Sequence, residues 1–340
     1  MVIKQAIAQV VEGNSLSAAD AEAVMEQIMT GQASDAQIGG LLIALRLKGE
    51  TVEEVTGFAR AMRRNAIPVN SRHKLLVDTC GTGGDGRGTI NISTMAAFVV
   101  AGAGLAVSKH GNRSVSSKCG SADVLQSLGV RLDLSPEEVG ACIDQIGIGF
   151  LFAPMLHPAM KHAIGPRREM GVRTVFNVLG PLTNPAAARV QVLGVYAPSL
   201  TEMMARVLRA LGSEAAMVVH GADGLDELST TGPNRVTRLK AGRIETYTVD
   251  PLDLGLPRAD LADLLGGDAG KNAAIFREVL AGAPGPKRDV VLLNSSACLL
   301  ASGVATDLRH GLSLAAQSID SGAARTKLDQ LVAFSDNGSG

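Results

Sequence analysis

Tryptophan is absent from this 340-residue sequence, tyrosine occurs twice, and aromatic residues make up only 3%. That scarcity argues against a platform on which nucleic-acid bases stack. An excess of one charge sign is missing too. The 32 basic and 33 acidic residues leave a net charge of −1, so the footprint of a general nucleic-acid binder is absent. No apolar run is long enough to span a membrane. The longest, over residues 95–107, is broken by Gly102 and Gly104. No basic start followed by an apolar core reads as a secretory signal. The four cysteines, Cys80, Cys119, Cys142 and Cys298, are widely spaced, with no Cys-x-x-Cys pair and no zinc pattern. A reduced, cytoplasmic enzyme is the expectation. The 39 glycines show no Gly-X-Y period, which excludes collagen.

What is present reads as a folded protein, with 46% hydrophobic and 19% charged residues. The pattern predicts an α/β protein with a small N-terminal helical domain over residues 1–68. Ser17 and Asp20 open one amphipathic segment. Ser34 with Gln37 and Thr51 with Glu54 form capping-box patterns before two more. After a link at 68–71, short apolar strands alternate with helices through residues 69–334, implying a largely parallel central sheet. Strands are predicted at 75–77, 105–108, 148–152, 190–195, 216–219 and 290–293, with a hairpin at 235–239 and 243–248. Ser199 and Glu202 are expected to cap a helix. Residues 155–180 are expected to complete the helical part, and 335–340 to form a disordered tail.

Two loops carry the chemistry. Asp78-Thr79-Cys80-Gly81-Thr82-Gly83-Gly84-Asp85-Gly86 follows the first strand, and its glycines match G-x-G-x-x-G. A dinucleotide site requires an acidic residue about 20 positions further on, at the end of the next strand. Residues 96–112 contain no Asp or Glu, and no Walker pattern is present. The backbone amides of this loop can still approach an anion. Asn91-Ile92-Ser93-Thr94 then enters a helix, whose N-terminus favours negative charge. Asp85 inside the same loop would repel bare phosphate; a metal or sugar hydroxyls resolve the conflict. The second loop, from Lys109 to Ser121, holds three cations and several serines at the C-terminal end of a strand, the edge where open α/β folds bind ligands.

These loops, with their spacing, resemble those of the anthranilate phosphoribosyltransferase family. His157-Pro158-Ala159-Met160-Lys161, Arg167-Arg168-Glu169, the run from Asn177 to Pro185 and Gly224-Leu225-Asp226-Glu227-Leu228 match as well, so the likeness covers residues 3–334. The resemblance implies transfer of phosphoribose from 5-phosphoribosyl 1-diphosphate to the amine of anthranilate, the second step of tryptophan biosynthesis. It assigns Gly81, Gly84, Asp85, Thr89, Asn91, Ile92, Ser93, Thr94, Lys109, His110, Gly111, Asn112, Arg113, Ser114, Val115, Ser116, Ser117 and Ser121 to the phosphoribosyl diphosphate. Gly81, Asn112 and Arg167 are assigned to anthranilate. It implies one or two Mg²⁺ ions, with Ser93, Asp226 and Glu227 as ligands, and a homodimer formed through the helical domain.

Residue chemistry agrees with these assignments. Adjacent carboxylates suit Mg²⁺, which prefers oxygen ligands. A guanidinium fork pairs both oxygens of a carboxylate. No general base is expected, because the aromatic amine carries its lone pair at neutral pH; Lys109 and Mg²⁺ would stabilise the leaving diphosphate. His110, His157, His162 and His220 read as structural, His110 also as a pocket wall. Two alternatives remain: a pyrimidine-type nucleoside phosphorylase, which has no need of an acidic metal pair, and a transferase of the same fold acting on another aromatic amine.

Overall fold

The computed structural model describes residues 1–114 and 118–337. Four helices open the chain: α1 (Ile3–Val11), α2 (Ala18–Met29), α3 (Asp35–Lys48) and α4 (Val52–Arg64). Ser17, Ser34 and Thr51 cap the last three as their spacing predicts. The first was not foreseen, because Val2 stands where a capping side chain is expected. Gly57 lets α4 touch α2: a Cβ there would lie 2.2 Å from the carbonyl oxygen of Ala18. Glu54 is buried but satisfied, accepting from the N–H of Leu16 and Thr51 and from Lys48 Nζ at 2.8–3.0 Å.

The remainder alternates strands and helices: β1 (Val77–Gly81), α5 (Ile92–Gly102), β2 (Val107–Gly111), α6 (Ser121–Ser127), α7 (Pro136–Ile146), β3 (Ile148–Phe152), α8 (Ala153–Leu156), α9 (Lys161–Met170), α10 (Phe176–Leu179) and β4 (Val190–Gly194). Then come α11 (Leu200–Ala210), β5 (Ala215–His220), β6 (Asn234–Lys240), β7 (Arg243–Val249), α12 (Ala269–Leu280), α13 (Pro286–Ala301), α14 (Leu308–Asp320) and α15 (Ala323–Asn337). One sheet runs β3-β2-β1-β4-β5-β6-β7. The first five strands are parallel, and the β6–β7 hairpin adds antiparallel. The chain steps outward from β1 to β3 and then returns to β4. The strand order therefore reverses between β1 and β4, where a crevice opens beyond the strand ends.

One apolar core, with Met95, Phe98, Leu125, Phe276 and Leu293, lies on one side of the sheet. A second, with Leu45, Phe58, Phe176, Leu193 and Met204, joins the opening helices and α11 to the other. Helix α9 packs against α2 and α3, and its His162 ring fills the space beside Gly31.

Three local expectations are corrected. Residues 290–293 are not a strand but the interior of α13, buried on all sides; a short apolar run has no period to separate the two. Ser199 makes no cap, and Glu202 instead pairs with Arg206 one turn on. Residues 335–337 belong to α15: Ser335 is buried, its hydroxyl donating to Val332 O and accepting from the N–H of Arg131. Residues 338–340 lie outside the described residues.

Candidate active site

Gly81 and Gly194 are register partners at the C-terminal ends of β1 and β4. Together they form a notch at the point where the strand order reverses. A Cβ on Gly194 would lie 1.4 Å from the carbonyl oxygen of Asp226, and one on Gly81 would lie 2.2 Å from its Oδ2. Only bare backbone admits the loop that follows β5, and that loop carries Asp226 and Glu227. The N–H of Gly83 donates to Asp226 Oδ2 at 2.6 Å. The N–H of Ser93, in the first turn of α5, donates to Glu227 Oε1 at 3.2 Å. The acidic pair thus joins the glycine-rich loop to a helix N-terminus, where the exposed N–H groups and the helix dipole favour negative charge.

The pair is electrostatically unbalanced. Loss of water pushes the Asp226 carboxyl well above the usual range, and the nearby Asp85 charge pushes it further. Glu227 is raised by the same desolvation and then by Asp226, with Lys109 pulling the other way. Three carboxylates therefore crowd one end of the sheet with a single buried lysine among them. No cluster of three His, Cys, Asp or Glu side chains of metal-binding geometry exists among the described residues. Two protein carboxylates with excess negative charge fit a hard cation that keeps its other positions for waters and substrate oxygens, as Mg²⁺ does.

The glycine-rich loop is otherwise open. Asp85 is half-buried and accepts from the N–H of Arg87 at 3.1 Å. Gly84 has a left-handed backbone (φ 75°), with open space where a side chain would stand. Thr89 bridges to Leu265 through its backbone. Asn91 ties the two loops together, donating to Cys119 O at 3.2 Å and accepting from Asn272 Nδ2 at 2.9 Å. Ile92 and Thr94 are buried in the first turn of α5.

Lys109 and His110 are buried at the end of β2, followed by Gly111, where a Cβ would strike Ser121 Oγ at 2.2 Å. Lys109 Nζ donates to His110 O at 3.1 Å. The N–H of His110 donates to the buried Asp78, which also accepts from Asn184 at 2.9 Å. His110 Nε2 meets His157 Nε2 at 3.2 Å. Burial drives both imidazoles toward the neutral form, His157 to about 4. This contact sets the start of the second loop against the segment that leads into α9.

Arg167 lies on α9, half-buried, with its guanidinium 5.0 Å from the centre of the Phe176 ring. It is joined by no hydrogen bond to Gly81 or Asn112 among the described residues. Asn112, Arg113, Ser114 and Ser121 cluster at the neck of the second loop, whereas Val115, Ser116 and Ser117 lie outside the described residues. Two residues that shape these loops were missed by the sequence reading: Gly194, whose bare backbone admits the acidic loop, and Asp123, which accepts hydrogen bonds at that neck. For Asp123 the available signal was an acid in the first turn of a helix opened by Gly120-Ser121. All four thiols are buried and none is in a disulfide, and desolvation pushes Cys119 up to about 11, so it is no nucleophile at neutral pH.

Residues 73–325 match the glycosyl transferase family a/b domain, and residues 4–66 match that family's helical bundle domain. An anthranilate phosphoribosyltransferase of Moorella thermoacetica is 61% identical over 333 residues, covering 98% of both chains. This chain belongs to the anthranilate phosphoribosyltransferase family. A relative of the same name from Pelotomaculum thermopropionicum is 58% identical, covering 99% of this chain and 97% of its own. Among solved structures, the anthranilate phosphoribosyltransferase of Thermus thermophilus superimposes with a TM-score of 0.93 at 46% identity, covering 97% of this chain and 99% of that one. The Saccharomyces cerevisiae enzyme in complex with PRPP and Mg gives 0.89 at 28% identity, covering 98% of each.

Proposed function

We infer that this chain transfers the phosphoribosyl group of 5-phosphoribosyl 1-diphosphate to the amine of anthranilate, giving N-(5-phosphoribosyl)anthranilate and diphosphate. The observation that carries the reading is the Asp226–Glu227 pair, set in the Gly81–Gly194 notch against the first turn of α5. A nucleoside phosphorylase using free phosphate has no use for that unbalanced acid pair. The family relationship favours anthranilate over another aromatic amine.

Asp226, Glu227 and Ser93 would hold Mg²⁺, which when bound neutralises diphosphate charge and assists its departure. The chain does the rest. Amides of Gly81 and Gly84, with Asp85, Thr89 and residues 91–94, cradle the phosphoribosyl diphosphate. Lys109 places a buried positive charge beside it. His110, Gly111, Asn112, Arg113, Ser114 and Ser121 wall the other side, and Val115, Ser116 and Ser117 carry the same assignment. Arg167 forks onto the anthranilate carboxylate, while Gly81 and Asn112 hold the junction of the two substrates. The amine attacks C1 as diphosphate leaves. The nitrogen sheds its extra proton once the C–N bond has made that proton acidic. Catalysis is by positioning and leaving-group stabilisation.

We assign residues 1–68, completed by 155–180, to a dimerisation domain and 69–334 to phosphoribosyl diphosphate binding. Ile43 and Leu47, one turn apart on α3, leave apolar side chains in solvent, Leu47 at 82% exposure. A second copy of the chain would cover them, so sedimentation should give the mass of two chains. Four buried cysteines with no disulfide among them suit the cytoplasm.

Mass spectrometry of the product tests the reaction. Incubation with anthranilate, phosphoribosyl diphosphate and Mg²⁺ should yield the phosphoribosyl adduct. Phosphorolysis of uridine or thymidine instead would overturn the reading. Arg167→Ala should raise the KM for anthranilate about tenfold to a hundredfold, the value of a charge-assisted pair. The KM for the sugar diphosphate should stay put, and an equal rise in both would remove Arg167 from the carboxylate site.

A further inference from the structure

Asp123, in the first turn of α6, is far from the acidic pair in sequence and has no part in the chemistry above. Its carboxylate gathers both ends of the second loop. Oδ2 accepts from the N–H of Ser114 at 3.0 Å and from the N–H of Gly120 at 2.8 Å, while Oδ1 accepts from Arg113 Nη1 at 3.0 Å. The two ends are pressed together. A Cβ on Gly120 would fall 2.4 Å from Ser114 N and 2.8 Å from Asn112 O. Around this neck, Asn112 and Ser121 exchange hydrogen bonds at 3.2 Å, and Ala122 N–H donates to Asn112 O at 3.1 Å. Burial alone would raise the Asp123 carboxyl, yet the Ser114, Gly120 and Arg113 donors outweigh it and hold the carboxyl below the usual range.

We propose that Asp123 is a positioning residue for phosphoribosyl diphosphate: a carboxylate clasp that fixes the backbone of Asn112, Arg113, Ser114 and Ser121 in the arrangement that binds the sugar diphosphate. The proposal rests on the functional reading above. A hydrogen bond to a charged group is worth about 1.5–3 kcal/mol. Asparagine has the same shape but one accepting oxygen, and its amide meets a donor head-on.

The test measures both substrates on the full-length protein with Mg²⁺. Asp123→Asn should raise the KM for phosphoribosyl diphosphate about tenfold to a hundredfold and the KM for anthranilate, which meets only Asn112 of this neck, by a much smaller factor. Gly120→Ala opens the same neck without touching the carboxylate and should reproduce the split. It also keeps the test alive if the Asp123 variant does not fold. Asp123→Glu, which keeps the charge, should recover part of the loss. Calorimetric titration with phosphoribosyl diphosphate and Mg²⁺ separates the two claims. Wild type that binds, with Asp123→Asn and Gly120→Ala binding as tightly, overturns the clasp alone. A wild type that does not bind overturns the functional reading and the clasp with it. Equal rises in both KM values would mark Asp123 as a general structural residue and overturn its role toward the sugar diphosphate.

Discussion

Gly194→Ala is expected to cut Mg²⁺-dependent turnover by about a hundredfold or more, without unfolding the protein. The added methyl would sit 1.4 Å from the Asp226 carbonyl oxygen and 2.3 Å from its carbonyl carbon. Neither is the end of a flexible side chain, so the backbone carrying Asp226 and Glu227 must move by an ångström or more. Misplacement of about 1 Å costs on the order of a hundredfold in a positioned reaction. Overpacking of this kind costs about 1–3 kcal/mol of stability, which a chain of this size tolerates. Gly81→Ala should act in the same direction through its 2.2 Å approach to Asp226 Oδ2, and less strongly, because a side-chain carboxylate can turn. Steady-state rates with circular dichroism as the folding control decide the matter; an active Gly194→Ala would mean that the acidic loop is not where the chemistry happens.

Asp226→Asn should lose activity and gain stability together. The carboxylate is buried, its neighbours Asp85 and Glu227 are acidic, and one N–H from Gly83 is too little to balance it. Its amide replacement removes the repulsion and keeps the shape. Turnover should fall by about a hundredfold or more, corresponding to about 2.7 kcal/mol of transition-state stabilisation. Melting in chelator at neutral pH should occur at a higher temperature than for wild type. The sign follows from linkage. A carboxyl raised in the folded state binds its proton more tightly there than when unfolded. It therefore favours folding at low pH and disfavours it as the pH rises from the usual carboxylate value of about 4 through the raised one. The variant lacks this slope. Activity lost together with stability would instead indicate an ordinary structural aspartate. Strain held at a working site at the expense of stability is a recurrent trade-off.

Much of this was legible in the sequence, for reasons that differ by element. The caps of α2, α3 and α4 were readable because a side-chain hydroxyl and the N–H three residues on are a local pairing. Strand β3 was placed to the residue, since Ile148 to Phe152 is an apolar run closed on one side by the left-handed Gly147. Strand β1 was read two residues early. Its last four residues, Asp78 to Gly81, carry one apolar side chain, Cys80, and the partners that make Asp78 tolerable in the interior, His110, Asn184 and Gln191, come from distant segments. The same limit hid Gly194. Its requirement for no side chain arises only when the loop after β5 folds back across the end of β4. Ion-binding residue types could be recognised one loop at a time. The notch that brings Asp226, Glu227, Gly83 and Ser93 together is a property of strand order, which pattern alone does not disclose.

The most direct test follows anthranilate fluorescence after addition of phosphoribosyl diphosphate, first with Mg²⁺ and then with chelator in excess. The account predicts a steady loss of signal that stops on chelation and resumes when Mg²⁺ is restored. No loss from folded protein, or loss that ignores chelator, would contradict it.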